Sequence, residues 1–401
     1  MLLALTSGFA LSQAFRTITA ILAQGLQQDF GISASSLGAF AGLFGLSFGV
    51  AQLLMGIGMD LYGLRRTVLC AFPLAALGAA LSAAAPTYGW LMLGQLMIGV
   101  GCSPAFLACT IFIARHFPAE RFAFFSGLCM GVGGLGLLVT GTPLAWLVEA
   151  HGWRSAFGLL SALCALSWLL IFVRVHEPAA AHASAPAQER WGQAFLRMAE
   201  LLTLPHTWGM VVLSMSCYAA FLTLRGLWIG PLLMDRHGFT LVQSGHVALA
   251  VSLISLFTPA LFGRLDPGLL RRRTWLANFS LLMAALFVAL GWLPQAWLNV
   301  AAVLGMATLS GYMLLQYADV RASYPSHMTG RALSLFTMSM FLGVALMQWF
   351  TGVIAAWAQA LDWEVYRAVA LTIAAWLVLA SSAYRYLPAS PLLQRSGAAT
   401  P

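Results

Sequence analysis

The sequence predicts an all-α membrane protein, with twelve transmembrane helices in two pseudo-symmetric six-helix bundles. Three observations predict it. The 401-residue chain is 61% hydrophobic and only 8% charged, where a soluble globular domain carries roughly 25% charged residues. Its apolar residues gather into twelve runs, each near the roughly 20 residues that a membrane helix requires. A pattern of Gly, Asp and Arg in the first half also returns in the second.

In order, the expected spans are 3–26, 35–58, 67–86, 89–114, 123–148, 153–175, 205–234, 242–263, 274–293, 297–318, 332–357 and 365–387. Most connections are short. The exception is 176–204, which opens on an Ala/Pro/Ser run of flexible composition. It closes on Glu189–Leu202, whose pattern fits a short amphipathic helix at the membrane surface. The expected organisation is a six-helix bundle over 1–175, a linker over 176–204 and a second six-helix bundle over 205–401.

Charge sets the orientation. All 20 basic residues are arginine. Fifteen fall in the loops that follow even-numbered spans or at the C-terminus, against three (Arg154, Arg236 and Arg367) in the loops that follow odd-numbered spans. The positive-inside rule makes the arginine-rich side cytoplasmic, with both termini there. The formal charge of +8 therefore reflects topology and anionic lipid headgroups. It does not point to nucleic acid. The expected location is a plasma membrane, the inner membrane of a bacterium.

The remaining two arginines, Arg16 and Arg225, lie within the first and seventh spans, with no acidic residue beside them in those spans. An arginine near a bilayer centre costs roughly 2.5–3.5 kcal/mol on insertion scales. Such a residue is seldom kept without a use.

The second and third spans are joined by Gly56-Ile-Gly-Met-Asp60-Leu-Tyr-Gly63-Leu-Arg65-Arg66. The matching place in the second half reads Gly263-Arg-Leu-Asp266-Pro-Gly-Leu-Leu-Arg271-Arg272-Arg273. The Asp-to-Arg spacing is five in both copies. A second echo pairs Arg115-His-Phe-Pro118 and Arg121 with Arg321-Ala-Ser-Tyr-Pro325 and Arg331. Repeats of a whole six-helix unit are the signature of a duplicated transporter.

The Gly56–Arg66 segment resembles the cytoplasmic signature of the major facilitator superfamily, G-x-x-x-D-x-x-G-x-R-R. Gly152-Trp153-Arg154 with Phe157 is similar to a sequence common in that superfamily. Leu61 stands where the signature usually has arginine. The resemblance covers essentially the whole chain and implies a carrier that works by alternating access. It implies a gating role for Gly56, Asp60, Gly63, Arg65 and Arg66, and for Asp266 and Arg271 in the second copy. These residues would hold helix ends together on the cytoplasmic side without touching substrate.

Arg16 precedes Asp60 by 44 residues and Arg225 precedes Asp266 by 41. Both arginines thus sit at similar depth in the first helix of their half. This arrangement resembles the organophosphate:phosphate antiporters of the superfamily, and the resemblance implies that both guanidinium groups bind one anionic substrate. A guanidinium presents a planar fork of donors that fits a carboxylate or phosphate. The plainer alternative is that backbone carbonyls, amides or water satisfy each arginine in a wall.

Helical spacing places candidate neighbours. Gln13 lies one turn before Arg16; Tyr218 lies two turns before Arg225 and Trp228 one turn after. Tyr312, Gln316 and Asp319 share a face of the tenth span. Asp319 is near the cytoplasmic end and reads as a gate or a helix-end ion pair, with Arg321 or Arg331. Each polar residue taken singly is also accounted for by interhelical hydrogen bonding.

Absences narrow the reading. No Asp or Glu falls near the middle of a span, Gln95 occupies the place of a fourth-helix arginine tied to proton handling, and Thr140-Gly141-Thr142-Pro143 does not match the exporters' fifth-helix motif. These features weigh against proton-driven drug efflux. The six cysteines lie in apolar segments without metal-ligand spacing and read as packing residues. The histidines form no cluster, and the methionines read as gap-fillers. No nucleotide loop or catalytic triad is present, so the expectation is a carrier rather than an enzyme, with no cofactor or metal, working as a monomer on a small anionic substrate in the bilayer. Two other readings remain: an exporter of lipophilic drugs, and a ligand sensor on a transporter scaffold.

The topology is directly testable. Membrane-impermeant thiol labelling of single cysteines placed in 176–204 is expected to require permeabilised cells. Labelling in intact cells would overturn the assigned orientation.

Overall fold

In the computed structural model the described residues are 1–117, 122–176 and 200–391. The side chains of Asp60 and Arg115 lie outside them, as do Arg121 and residues 177–199 of the linker with most of its expected surface helix. Eleven helices among the described residues are long and apolar enough to cross a membrane. The first span differs from expectation. It is divided into Leu2–Phe15 and Thr19–Phe30 by a turn at 16–18, and neither piece alone has the length to cross a bilayer.

Other spans are interrupted near their middles. The fourth is Tyr88–Cys102 and then Ala105–His116, separated at Ser103–Pro104. The fifth is Phe122–Val139 and then Thr142–His151, with Pro143 in the first turn after the break. Proline supplies no N–H and accounts for these two breaks. The seventh runs as Pro205–Thr223, a π-helical turn Leu224–Trp228, and Ile229–His237. The tenth contains a 3-10 turn, Ser310–Met313. Lipid-facing backbone cannot be left unsatisfied, so interruptions at this depth occur where protein or a cavity covers them.

The chain packs as two compact units: Met1–Glu189 with Arg225–Ser252, and Arg190–Leu224 with Leu253–Pro401. Within the first, the first span packs along the fifth, the third along the fourth and sixth, and the second along the fourth. Within the second, the seventh span packs along the eleventh and the ninth along the twelfth. The pairs one-with-five and three-with-six thus recur as seven-with-eleven and nine-with-twelve. The sequence repeat is therefore also a repeat of packing.

Close backbone approach holds both copies of the first pairing. A Cβ on Gly136 would stand 1.7 Å from the Ala10 carbonyl oxygen, and one on Gly343 would stand 2.1 Å from that of Met215. Only glycine lets helices meet so closely, and dispersion over the contact is what holds helices together in lipid. The segment Arg225–Ser252 joins the first unit by the same means. Ile229–His237 packs on Thr19–Phe30, where a Cβ on Gly230 would lie 2.0 Å from the Ala20 carbonyl oxygen.

Gly136→Ala is expected to separate the first and fifth spans and to lower stability by about 1–3 kcal/mol, the usual scale of overpacking. A Cβ on Gly131, in the same helix, would meet nothing within 4 Å. Gly131→Ala is expected to be neutral or stabilising because alanine is the better helix former. Thermal unfolding of the two detergent-solubilised variants checks the contrast.

Candidate anion site

The break in the first span falls at Arg16. Thr17 N–H bonds to the Ala14 carbonyl at 3.1 Å, a tight turn in place of the regular helical bond. The Arg16 side chain is half-buried. Its Nη2 donates to Ser12 Oγ at 3.4 Å, and its guanidinium carbon lies 4.9 Å from the centroid of the Phe48 ring. Gln13 is half-buried, and its Oε1 has no hydrogen-bond partner among the described residues.

Arg225 sits in the π-helical turn and is 2% exposed. Its Nε and Nη2 donate to Ser252 Oγ at 3.2 and 3.0 Å. Nη2 also donates to the Leu137 carbonyl at 3.2 Å and to Thr140 Oγ1 at 3.4 Å. Its Nη1 is buried with no hydrogen-bond partner among the described residues.

The acceptor on the fifth span exists because that helix is broken. In a regular helix the Leu137 carbonyl would take the N–H of Gly141. Here Gly141 N–H goes to Leu138 instead, at 3.1 Å. The freed carbonyl accepts both Thr140 Oγ1, at 3.0 Å, and Arg225. Thr140 Oγ1 is also 2.6 Å from Thr17 Oγ1. With its hydrogen committed to Leu137, Thr140 receives the hydrogen of Thr17. A continuous chain therefore runs from the break beside Arg16, through the break in the fifth span, to the π turn that carries Arg225. All of these groups belong to the first unit.

Trp228 closes the π turn and is buried in the same unit. Tyr218, Tyr312 and Gln316 belong to the second unit. Tyr218 packs edge-on against Phe341 at 5.7 Å between centroids. Tyr312, in the 3-10 turn, is fully buried, and its hydroxyl is 3.2 Å from Ser280 Oγ, which is 3.2 Å from the Cys217 thiol. Gln316 is 4% exposed, and its Nε2 has no hydrogen-bond partner among the described residues. It lines a small cavity with Asp319 and Tyr384, with room for about one water molecule.

The expected gate residues form local structure. Gly63 adopts φ +85°, a conformation L side chains avoid, and joins the helix Ala34–Tyr62 to Leu64–Ala71. Gly56 is half-buried and Arg66 is exposed. Arg65 Nη2 donates to the Phe172 carbonyl at 3.0 Å, tying the connection to the end of the sixth span.

In the second copy Asp266 pairs with Arg272 at 2.5 Å, while Arg271 is exposed. The helix begins at Leu269, so the sixth residue after Asp266, rather than the fifth, turns back toward it. The bond from Arg272 holds the Asp266 carboxyl below the usual carboxylate range, against the opposing effect of burial and with help from Gly268 N–H. Asp319 accepts the Tyr384 hydroxyl at 2.7 Å and is 3% exposed. It turns to the twelfth span, whereas Arg321 faces outward.

Sequence reasoning missed Thr17, Thr140, Ser252 and the Leu137 carbonyl. Gly141 and Pro143 marked a helix break, and a break implies free carbonyls. Nothing in the sequence marks Ser252.

The family model described as Major Facilitator Superfamily matches residues 4–348. The chain is 29% identical over 158 residues to facilitated glucose transporter member 12 of Xenopus laevis, covering 38% of this chain and 24% of that one. It is 33% identical over 168 residues to a gallate transporter of Pseudomonas putida, covering 38% and 35%. It is 25% identical over 234 residues to a probable L-galactonate transporter of Escherichia coli, covering 56% and 51%. The chain thus spans about a quarter to a half of the length of these relatives. The crystal structure of a D-xylose–proton symporter superposes with a TM-score of 0.76 at 16% identity, over 98% of both chains.

Asp319→Ala leaves the buried Tyr384 hydroxyl without its acceptor and is expected to cost about 1–3 kcal/mol. Asp319→Asn keeps an acceptor oxygen and is expected to recover most of that loss. Thermal unfolding checks the order, and equal loss in both variants would show that charge, not the hydrogen bond, matters.

Proposed function

Because the chain belongs to the Major Facilitator Superfamily, we propose that it is an integral membrane carrier, not an enzyme, that moves a small organic anion by alternating access. Arg16 and Arg225 bind the anionic group. The observation that carries this reading is Arg225 Nη1, a charged donor buried without a partner among the described residues. It sits in a distorted turn that shares a hydrogen-bonded chain with the break at Arg16. Discontinuous helices that converge at mid-membrane are where carriers of this kind bind their substrates.

Gallate and galactonate, for which two of the relatives are named, are both carboxylates. That favours a carboxylate over an organophosphate as the anionic group. Gln13, one turn before Arg16 and with an unused amide oxygen, is proposed to take a hydroxyl of the same molecule. The carrier is proposed to work as a monomer in a plasma membrane with both termini cytoplasmic, as the arginine asymmetry directs.

One observation favours a second reading. Arg225 Nε and Nη2 are already engaged by Ser252, Leu137 and Thr140. If these satisfy the residue as a wall, the substrate is a neutral solute, in keeping with the glucose-transporter relative.

Binding and uptake distinguish the two. Galactonate, gallate and inorganic phosphate are tested against wild type, Arg16→Gln and Arg225→Gln. Either glutamine variant is expected to fold, to lose uptake and to bind at least about tenfold more weakly, since a charged hydrogen bond contributes roughly 1.5–3 kcal/mol. Lysine is expected to rescue poorly because it lacks the fork. Failure of wild type to bind or take up any of these anions would favour the neutral-solute reading instead, and normal anion uptake by both glutamine variants would overturn the role given to the arginines.

A further inference from the structure

The cage around Arg225 has a consequence for how binding is felt by the protein. Four hydrogen bonds attach the guanidinium to two other spans: Ser252 Oγ on the eighth, and the Leu137 carbonyl and Thr140 Oγ1 on the fifth. These bonds use Nε and Nη2 and leave Nη1 spare. A carboxylate gains most from arginine when both of its oxygens meet parallel N–H donors on adjacent nitrogens. Any such pair on Arg225 includes Nη2. A carboxylate reaching Nη1 therefore completes its fork only by taking Nη2 from Leu137 and Thr140.

We infer that the Arg225 cage is a latch between the fifth and seventh spans, and that an arriving carboxylate releases it. The inference rests on the anion reading given above. Thr140 and Ser252 are positioning residues in this scheme: they hold Arg225 without touching the anion. The Leu137 carbonyl is the strike plate of the latch, and it is free for that use only because the fifth span is broken.

The latch lies at one end of a seam. Beyond it, Thr142 Oγ1 is 2.7 Å from His246 Nδ1, joining the fifth span to the eighth. The Gly230–Ala20 approach joins the seventh to the first. The segments on both sides of this seam come from different copies of the six-helix repeat. Releasing Arg225 loosens the seam at its buried end, which is the direction a binding event must push to change conformation. A ligand shifts a conformational equilibrium only by its difference in affinity for the two states. Competition for Nη2 supplies that difference.

Linkage is reciprocal, so weakening the latch must strengthen anion binding. In the full-length protein, Thr140→Val is expected to bind galactonate or gallate about fivefold tighter than wild type, whereas Ser252→Ala, whose hydroxyl holds the Nε side of the guanidinium, is expected to bind no tighter. The gain at Thr140 is the worth of one ordinary net hydrogen bond no longer given up. Thr140→Ser keeps the hydroxyl and is expected to match wild type. A merely structural role for Thr140 would weaken binding or leave it unchanged. Should Thr140→Val fail to fold, Thr140→Ala, which also removes the hydroxyl, carries the affinity measurement.

Hydrogen exchange gives a second readout. Adding galactonate or gallate to wild type is expected to raise amide exchange across 137–142, whereas simple ligand stabilisation would lower it. If either carboxylate binds wild type but the variant without the Thr140 hydroxyl binds no tighter, or exchange falls, the latch is overturned and the anion site stands. If neither carboxylate binds wild type, the anion reading and the latch fall together.

Discussion

A guanidinium inside a membrane helix must find acceptors that an intact helix cannot give. Every carbonyl of a regular helix is already committed to an N–H one turn on, and lipid offers nothing in exchange. An arginine at that depth is therefore tolerated only beside interrupted backbone, hydroxyls, water or a ligand. The first unit meets this constraint with irregular structure at three places: the turn at 16–18, the break at Thr140–Gly141, and the residues Arg225–Trp228 of the π turn. The arginines and the breaks explain one another. Without the breaks the charges have no acceptors, and without the charges the freed carbonyl of Leu137 has no donor beyond its own helix.

The organisation around these breaks follows from the duplicated chain. One-with-five and seven-with-eleven are the same pairing, each held by a glycine set against a carbonyl oxygen. Such contacts suit a protein whose helices must both hold and slide. They gain dispersion over a smooth surface and need no directional bond to be broken when the surface shifts.

Much of this was legible in the sequence, and the reasons are physical. Hydropathy shows the spans because lipid imposes length and apolarity on each one separately. Arg16 and Arg225 stood out because charge is so rare in that setting. The repeat was visible because Asp and Arg at helix ends leave a fixed spacing. What stayed hidden depends on tertiary placement. Asp266 pairs with Arg272 and not Arg271 because of where the next helix starts. Asp319 turns to Tyr384, 65 residues away in the chain. Ser252 looks like any small polar residue in an apolar helix until Arg225 is seen against it. The grouping of Arg225–Ser252 with the first unit is likewise a matter of close backbone approach, which leaves no mark in composition.

The π turn also works as a phase adjuster. It fits one more residue into the seventh span than a regular helix of the same rise would hold. Each residue turns an α-helix by about 100°. Winding the same residues as ordinary helix, with none removed, would rotate Ile229–His237 by about that angle. Gly230 would then swing off Ala20, and a bulkier neighbour would arrive in its place. The irregular turn thus sets the rotational register of everything that follows it in the span, as well as the aim of one side chain.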